Sequence, residues 1–315
     1  MIIFDYFNDA HILENFCEHF NLNIVEVKKY LLKVDGIHTS YSEMVADLKL
    51  NLLRPTDDCG VHCKHITTCN DDLASIKYYG LLRLDQVLTT DTPLKRFLSN
   101  YKIQIDPLKK FFAYKNHNWK INSCDEQCYP CLYHKEPCDK ITLCDFREYM
   151  GRLHSKLYQD KGEVEFFIGG DENTIAEYQT IQEAPEILID IAKIMKCIYP
   201  KISVYCLQDA WNKNENWKKY ILGFSIPYSW LEMNVERKSR SYYLDNCEWF
   251  KFLNYSWEDY NEDKIPLTFY INKHIAENCL SLYLEGEPLT KFGQLLPESH
   301  VSFNMIEKIE QINHF

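Results

Sequence analysis

Two stretches of this 315-residue chain gather side chains that could do chemistry. The first begins at His65 and reads HITTCNDDLASIKYYGLLRLDQVL. Its start is β-prone, and side chains alternate along a strand, so His65 and Thr67 share one face. Asn70, Asp71 and Asp72 supply a helix N-cap, and Leu73, Ile76, Lys77 and Gly80 follow at helical spacing, with the glycine closing the helix. The second stretch is Cys124-x3-Cys128-x2-Cys131-x6-Cys138-x5-Cys144. Thiolates two or three residues apart converge on one metal, and a further cysteine nearby completes a tetrahedral site. Cys124, Cys128, Cys131 and Cys138 are the expected zinc set, with His134 or Cys144 as substitutes. Cys59, His62, Cys63 and Cys69 form a weaker second set that could join the first. The plain alternative is a loop of unligated thiols.

The His-x-Thr strand feeding a short helix that ends in Gly-Leu resembles the first NAD-binding element of bacterial ADP-ribosyltransferases, in the DNA- or RNA-directed branch. The resemblance implies that His65 and Thr67 hydrogen-bond the nicotinamide-side ribose. It also implies a glutamate on a later strand, and an aromatic ring that stacks on nicotinamide. Cleaving the nicotinamide–ribose bond builds positive charge on the ribose, which an opposed carboxylate stabilises. EVEFFI offers two, Glu163 and Glu165, on one face, with Val164 and Phe166 on the other. Glu165 lies deeper in the apolar run and is the expected catalytic residue. Tyr114, or alternatively Tyr101, is the expected stacking ring.

The spacing of Cys124, Cys128 and Cys131 also resembles the cluster motif of radical S-adenosylmethionine enzymes. There three cysteines hold a [4Fe–4S] cluster and a later Gly-Gly-acid turn holds the methionine amine; here Gly169-Gly170-Asp171-Glu172 follows a strand. The chain departs from that pattern in a polar strand before Cys124 and in Pro130, not an aromatic, just before the third cysteine.

Composition bounds these readings. An apolar share of 46% and a charged share of 26% are those of a globular protein of one or two domains. A net charge of −11 means that any polynucleotide contact needs a local basic region. The start, MIIFDYFNDAHIL, lacks the features of a signal peptide, and no apolar run approaches the ~20 residues of a transmembrane helix. A cytoplasmic protein with no membrane partner is expected. A reducing compartment keeps thiols free, so clustering among the thirteen cysteines points to metal rather than disulfides. No Gly-x-Gly-x-x-Gly, Walker loop, His-Glu-x-x-His or Gly-x-Ser-x-Gly is present.

Periodicity predicts two helices over residues 8–34, broken at Asn21 and Asn23, and a third stopped before Arg54-Pro55. A helix capped by Thr92 with Pro93 in its first turn should cover 92–100. Residues 110–121 are β-prone, Phe146 to Leu157 make an amphipathic helix, and Pro185 opens a helix over 186–198. Strands are expected at 163–168, 202–207, 220–226 and 267–271, and a helical C-terminus. The fold class is α/β or α+β: a mixed-sheet core with an N-terminal helical cap (1–55), a transferase-like core (56–210) with a cysteine-rich insert (122–145), and an unassigned extension (211–315). The leading functional expectation is ADP-ribosyl transfer from NAD to a protein or nucleic-acid acceptor, by a toxin or anti-phage defence effector. The alternatives are a radical S-adenosylmethionine enzyme and a non-enzymatic, zinc-stabilised interaction protein.

Overall fold

The computed structural model describes residues 1–34, 39–121, 145–159, 164–170, 184–214, 216–232, 248–249, 251–253 and 265–312. In chain order its elements are β1 (Ile2–Phe4), α1 (Ile12–Phe20), α2 (Ile24–Leu31), α3 (Tyr41–Asp47), β2 (Cys59–Cys69), α4 (Ala74–Tyr79), α5 (Leu84–Thr89) and α6 (Pro93–Asn100). Then come β3 (Ile103–Asp106), β4 (Phe111–Tyr114), β5 (His117–Lys120), α7 (Asp145–His154), β6 (Glu165–Phe167), α8 (Ile187–Ile198) and α9 (Cys206–Asn212). β7 (Lys218–Pro227), α10 (Leu267–Glu285), β8 (Phe292–Gln294) and β9 (Ile306–Ile312) complete the series. Helices and largely antiparallel sheets make this an α+β fold with helices at its N-terminal end.

The helix ends follow local chemistry. Asn21 takes a left-handed conformation after α1, and the Asn23 side chain accepts from the Val25 and Glu26 amides at the start of α2. Ser40 and Glu43 form a reciprocal capping box on α3. Thr92 caps α6, with Pro93 in its first turn. At α4 the Asp71 carboxylate accepts from the Ser75 amide at 2.9 Å, while Leu73, immediately before the helix, sits at φ 64°. Gly80 closes α4 at φ 74°; a Cβ there would lie 2.4 Å from the Val301 carbonyl oxygen.

Three expected elements differ. Residues 203–205 turn, and α9 starts at Cys206; Leu207, Gln208 and Trp211 are buried at helical spacing, which overrides the strand-like alternation before them. The expected strand at 267–271 is the first turn of α10, a 19-residue helix opened by Pro266 and ended by Gly286. The C-terminal stretch is strand β9, at the end of its sheet order, with Lys308 and Glu310 paired two residues apart. Charge on an edge strand keeps it from pairing further.

The chain forms two units. The first comprises Met1–Lys64, Glu165–Ile175 and Gly223–Leu296. In it the strand order is β8-β6-β2-β7, with β1 parallel to β2 through Ile2↔Cys59, Ile3↔Gly60 and Phe4↔Val61. Lys64 pairs with Phe167, and Glu165 with Gln294. Helices α1 and α3 pack on α10. The second unit comprises His65–Val164, Ala176–Leu222 and Pro297–Phe315. It holds the β3-β4-β5 antiparallel sheet and an apolar core in which α7 packs on α8 and α8 on α9. No helix among the described residues is long and apolar enough to cross a membrane.

Candidate metal centre

In the first unit α1 directs Ile12, Phe16, His19 and Phe20 to one buried face, so a histidine occupies a position where the spacing calls for an apolar residue. His19 is fully buried. Its Nε2 lies 2.6 Å from Asn272 Oδ1. The Asn272 Nδ2 group donates to the carbonyls of Leu52, Arg54 and Thr268 at 2.8–2.9 Å, which fixes the amide with its oxygen toward the imidazole. An oxygen can only accept, so the proton of neutral His19 resides on Nε2. The Nδ1 lone pair is therefore presented on the opposite side of the ring.

There it meets Cys59 Sγ at 3.2 Å. Cys59 opens β2, with its thiol in the core, and Asp58 Oδ1 stands 3.6 Å from the same sulfur. Asp58 occupies an exposed turn whose carbonyl accepts from the Ile2 amide at 2.7 Å. One donor atom from each of His19, Asp58 and Cys59 lies within 4.8 Å of the other two. A tetrahedral zinc with bonds of about 2.3 Å to sulfur and about 2.0 Å to nitrogen or oxygen separates its ligand atoms by roughly 3.5 Å. The 3.2 and 3.6 Å spacings bracket that value.

Burial is the main influence holding His19 below the ordinary histidine range, and the Arg54 cation adds to it. The ring therefore stays neutral and able to donate its lone pair. Burial, and then the Asp58 carboxylate, push the Cys59 thiol up to about 12. Such a thiol is a poor nucleophile, and the fully buried sulfur offers a substrate no approach. The Cys59–His19–Asn272 chain is therefore not set up for attack on a substrate, and to act as a ligand the thiol would have to give up its proton to the ion. An orienting partner on the far nitrogen is what metal-bound histidines generally have.

A second polar chain lies in the same unit. The Tyr6 and Tyr228 hydroxyls are 2.6 Å apart, and the Tyr228 hydroxyl lies 3.1 Å from His274 Nδ1. Burial pushes both phenols well up and holds His274 down at about 4. Beside it Lys273 pairs with Glu277 at 2.9 Å and lies over the Trp249 ring.

The expected residues fall as follows. His65 and Thr67 are half-buried and alternate with buried Ile66 and Thr68, so they share a face of β2 as expected. They belong to the second unit, as does Tyr114; Glu165 belongs to the first. Tyr114 is 5% exposed, its ring in the core and edge-on to Tyr199 at 5.6 Å, so its faces are engaged in packing. Glu165 is exposed and accepts from Gln294 Nε2 at 2.9 Å. Val164 and Phe166 are buried. Glu163 lies outside the described residues, as do Cys124, Cys128, Cys131, Cys138, Cys144 and His134. Gly169 needs no cofactor to explain it: a Cβ there would meet Pro288 Cγ at 2.5 Å and Tyr6 Cβ at 3.1 Å.

Of the weaker set, Cys59 and Cys63 face one side of β2 and His62 the other, where its Nδ1 lies 3.3 Å from Ser225 Oγ. The partners that Cys59 does have, His19 and Asp58, escape a search by motif because His19 is 40 residues away. The available signal is the histidine on the apolar face of α1. Comparisons with family models, with curated proteins and with solved structures find no match for this chain.

Proposed function

We propose that this is a metal-stabilised binding protein, in which His19, Asp58 and Cys59 hold one zinc-class ion. One observation carries the reading: a neutral imidazole, oriented by Asn272, aims its lone pair at a thiol that also has a carboxylate beside it, at 3.2 and 3.6 Å from the sulfur, near the spacing of tetrahedral ligands. Nitrogen, sulfur and one carboxylate oxygen suit zinc better than calcium or magnesium, which take all-oxygen shells. The ion would tie α1 to the start of β2, and its binding free energy would become folding free energy.

The test is metal analysis and cobalt titration of the purified chain. Asp58→Asn, on an exposed turn, should fold and bind cobalt at least about 10-fold more weakly. Cys59→Ser should lose one zinc per chain and the sulfur-to-cobalt absorption of this site. Zinc on Cys124, Cys128, Cys131 and Cys138 would survive both changes, so the readout is the difference from the unmodified chain. Equal zinc content and equal cobalt affinity in all three proteins would refute the site.

A second reading, ADP-ribosyl transfer from NAD, is favoured by the shared, half-buried face of His65 and Thr67. Its test is NAD consumption by the purified protein. Glu165→Gln should lower kcat on the order of 10²–10³, and His65→Ala should also weaken NAD binding. NAD left intact by the unmodified chain would end this reading and leave the metal site unaffected.

A further inference from the structure

The candidate metal centre has three protein donors, and among the described residues no fourth histidine, cysteine or carboxylate joins them. A structural zinc is closed by four protein ligands, whereas three leave a position for water or an incoming ligand. Access to that position is one-sided. His19 and Cys59 are fully buried, with Asn272 behind the imidazole, and Asp58 is exposed. An ion there, unlike the sulfur, is therefore reached from the turn over residues 54–58.

That turn is anchored to the same polar network. The Arg54 amide donates to the Asn51 carbonyl at 3.1 Å, and the Arg54 carbonyl accepts from Asn272 Nδ2 at 2.9 Å. At its far end the Cys59 amide donates to the carbonyl of buried Thr56 at 3.0 Å. The amide that orients His19 thus also fixes Arg54. The Arg54 side chain is half-buried, and among the described residues its guanidinium makes no hydrogen bond or ion pair, not even with Asp58 four positions on. Its charge nevertheless reaches both inner donors, pushing the His19 imidazole and the Cys59 thiol down. A cation partly withdrawn from water and left unpaired carries a desolvation cost that a bound anion would offset. A divalent ion is neutralised by the Cys59 thiolate and the Asp58 carboxylate, so Arg54 leaves one positive charge over.

We infer that the fourth position takes a small oxyanion, a carboxylate or phosphate group, with one oxygen on the ion and another on the Arg54 guanidinium. Guanidinium is the side chain best matched to carboxylate and phosphate oxygens. Water in that position would leave Arg54 unpaired, and an amine would be repelled by it. The inference rests on the metal reading and names the class of ligand that the binding protein would hold.

The experiment is titration of the cobalt-loaded full chain with inorganic phosphate and, separately, with acetate, followed in the visible bands of cobalt. The readout is the part of the spectrum that Cys59→Ser loses, so cobalt bound elsewhere does not enter. At least one anion should shift those bands saturably, and sodium perchlorate at the same ionic strength should not. Phosphate acting alone assigns a phosphate group, and acetate acting alone a carboxylate. Arg54→Gln should weaken anion binding by about 10-fold or more. It should bind cobalt at least as tightly as the unmodified chain, because a nearby cation is gone. A merely structural role for Arg54 would lower both affinities together. Arg54→Lys keeps the charge without the planar fork and should fall between. Bands that ignore both anions, or equal anion affinity in Arg54→Gln, overturn the inference and leave the metal site standing. No spectral difference between the unmodified chain and Cys59→Ser overturns both.

Discussion

The two units build their interiors with different emphasis. The core of the second is mainly apolar: α8 buries Ile187, Leu188, Ile191, Ile194 and Met195, with Trp211 of α9 in the same cluster, although α8 also buries Asp190, which faces Lys156 at 3.5 Å. The first is organised around α10, which buries Asn272, Asn278 and Ser281 as completely as Ile275 and Leu280. Each polar group there has a stated partner: Asn272 holds His19 and three carbonyls, Asn278 accepts from the Thr290 amide, and Ser281 donates to the Glu287 carbonyl. Apolar packing tolerates exchange among residues of similar volume, whereas a buried hydrogen-bond network accepts one arrangement. The first unit therefore adds a buried hydrogen-bond network to its apolar packing, where the helix core of the second relies more on volume. Two of the candidate ligands, His19 and Cys59, sit in the interior of the first unit, and Asp58 lies on its surface.

The sharpest way to break this contrast is Asn272→Ala. It orphans the His19 imidazole and the Leu52 and Arg54 carbonyls, at about 1–3 kcal/mol each, so a loss of roughly 4–6 kcal/mol is expected in urea denaturation. A loss below about 1 kcal/mol would show that the network is not what holds the unit.

Next comes a matched pair of conservative changes. Tyr228→Phe removes one hydroxyl but two hydrogen bonds, to Tyr6 and His274, and should cost about 2 kcal/mol. Trp211→Phe removes an indole N–H that is buried without a hydrogen-bond partner among the described residues. Its cost should be that of volume alone, about 1 kcal/mol. Thermal melts of both variants decide it, and equal losses would erase the distinction between the units.

Much of this architecture is legible in the chain. The caps at Asn23, Ser40 and Thr92, the halt at Gly80 and the aromatic strands near Phe112 are short-range chemistry, fixed by residues a few positions apart. α10 is not, because its apolar and polar residues surround the helix without forming a stripe, and its first turn reads as a strand. Cys59 is visible as a candidate ligand and Asp58 adjoins it, but His19 comes from a helix 40 positions earlier and is oriented by an amide 253 positions beyond itself. Local spacing has no access to such pairings. The His65–Thr67 face follows from alternation alone; the residue opposite it does not.

A smaller effect should appear with pH. Burial holds His274 at about 4, against about 6.5 in an unfolded chain, with the Lys273 cation adding to the shift. The unfolded state thus binds the proton more readily. The stability that neutral His274 contributes is complete above about pH 6.5 and is lost as pH falls toward 4. With allowance for its partial exposure, on the order of 1–2 kcal/mol should disappear over that window. His274→Gln should flatten this part of the melting-temperature profile, and an unchanged profile would mean that another group is responsible. The least effect is expected at the exposed Lys218–Asp72 pair of the second unit. Lys218→Ala should leave the melting temperature unchanged within error, since screened surface pairs contribute little.

The interleaved make-up of the first unit also bears on how the protein comes into being. His19 must wait for Asn272, which the ribosome adds 253 residues later. At roughly 5–20 residues per second, that is an interval on the order of 10–50 s. Throughout it, the buried face of α1 and the inward side of β2 have no α10 to cover them. The second unit is in the same position, because its last segment begins at Pro297. Neither unit can close before its last segment is added, the first needing residues up to Leu296 and the second those from Pro297 on, so the emerging chain carries uncovered apolar surface until then.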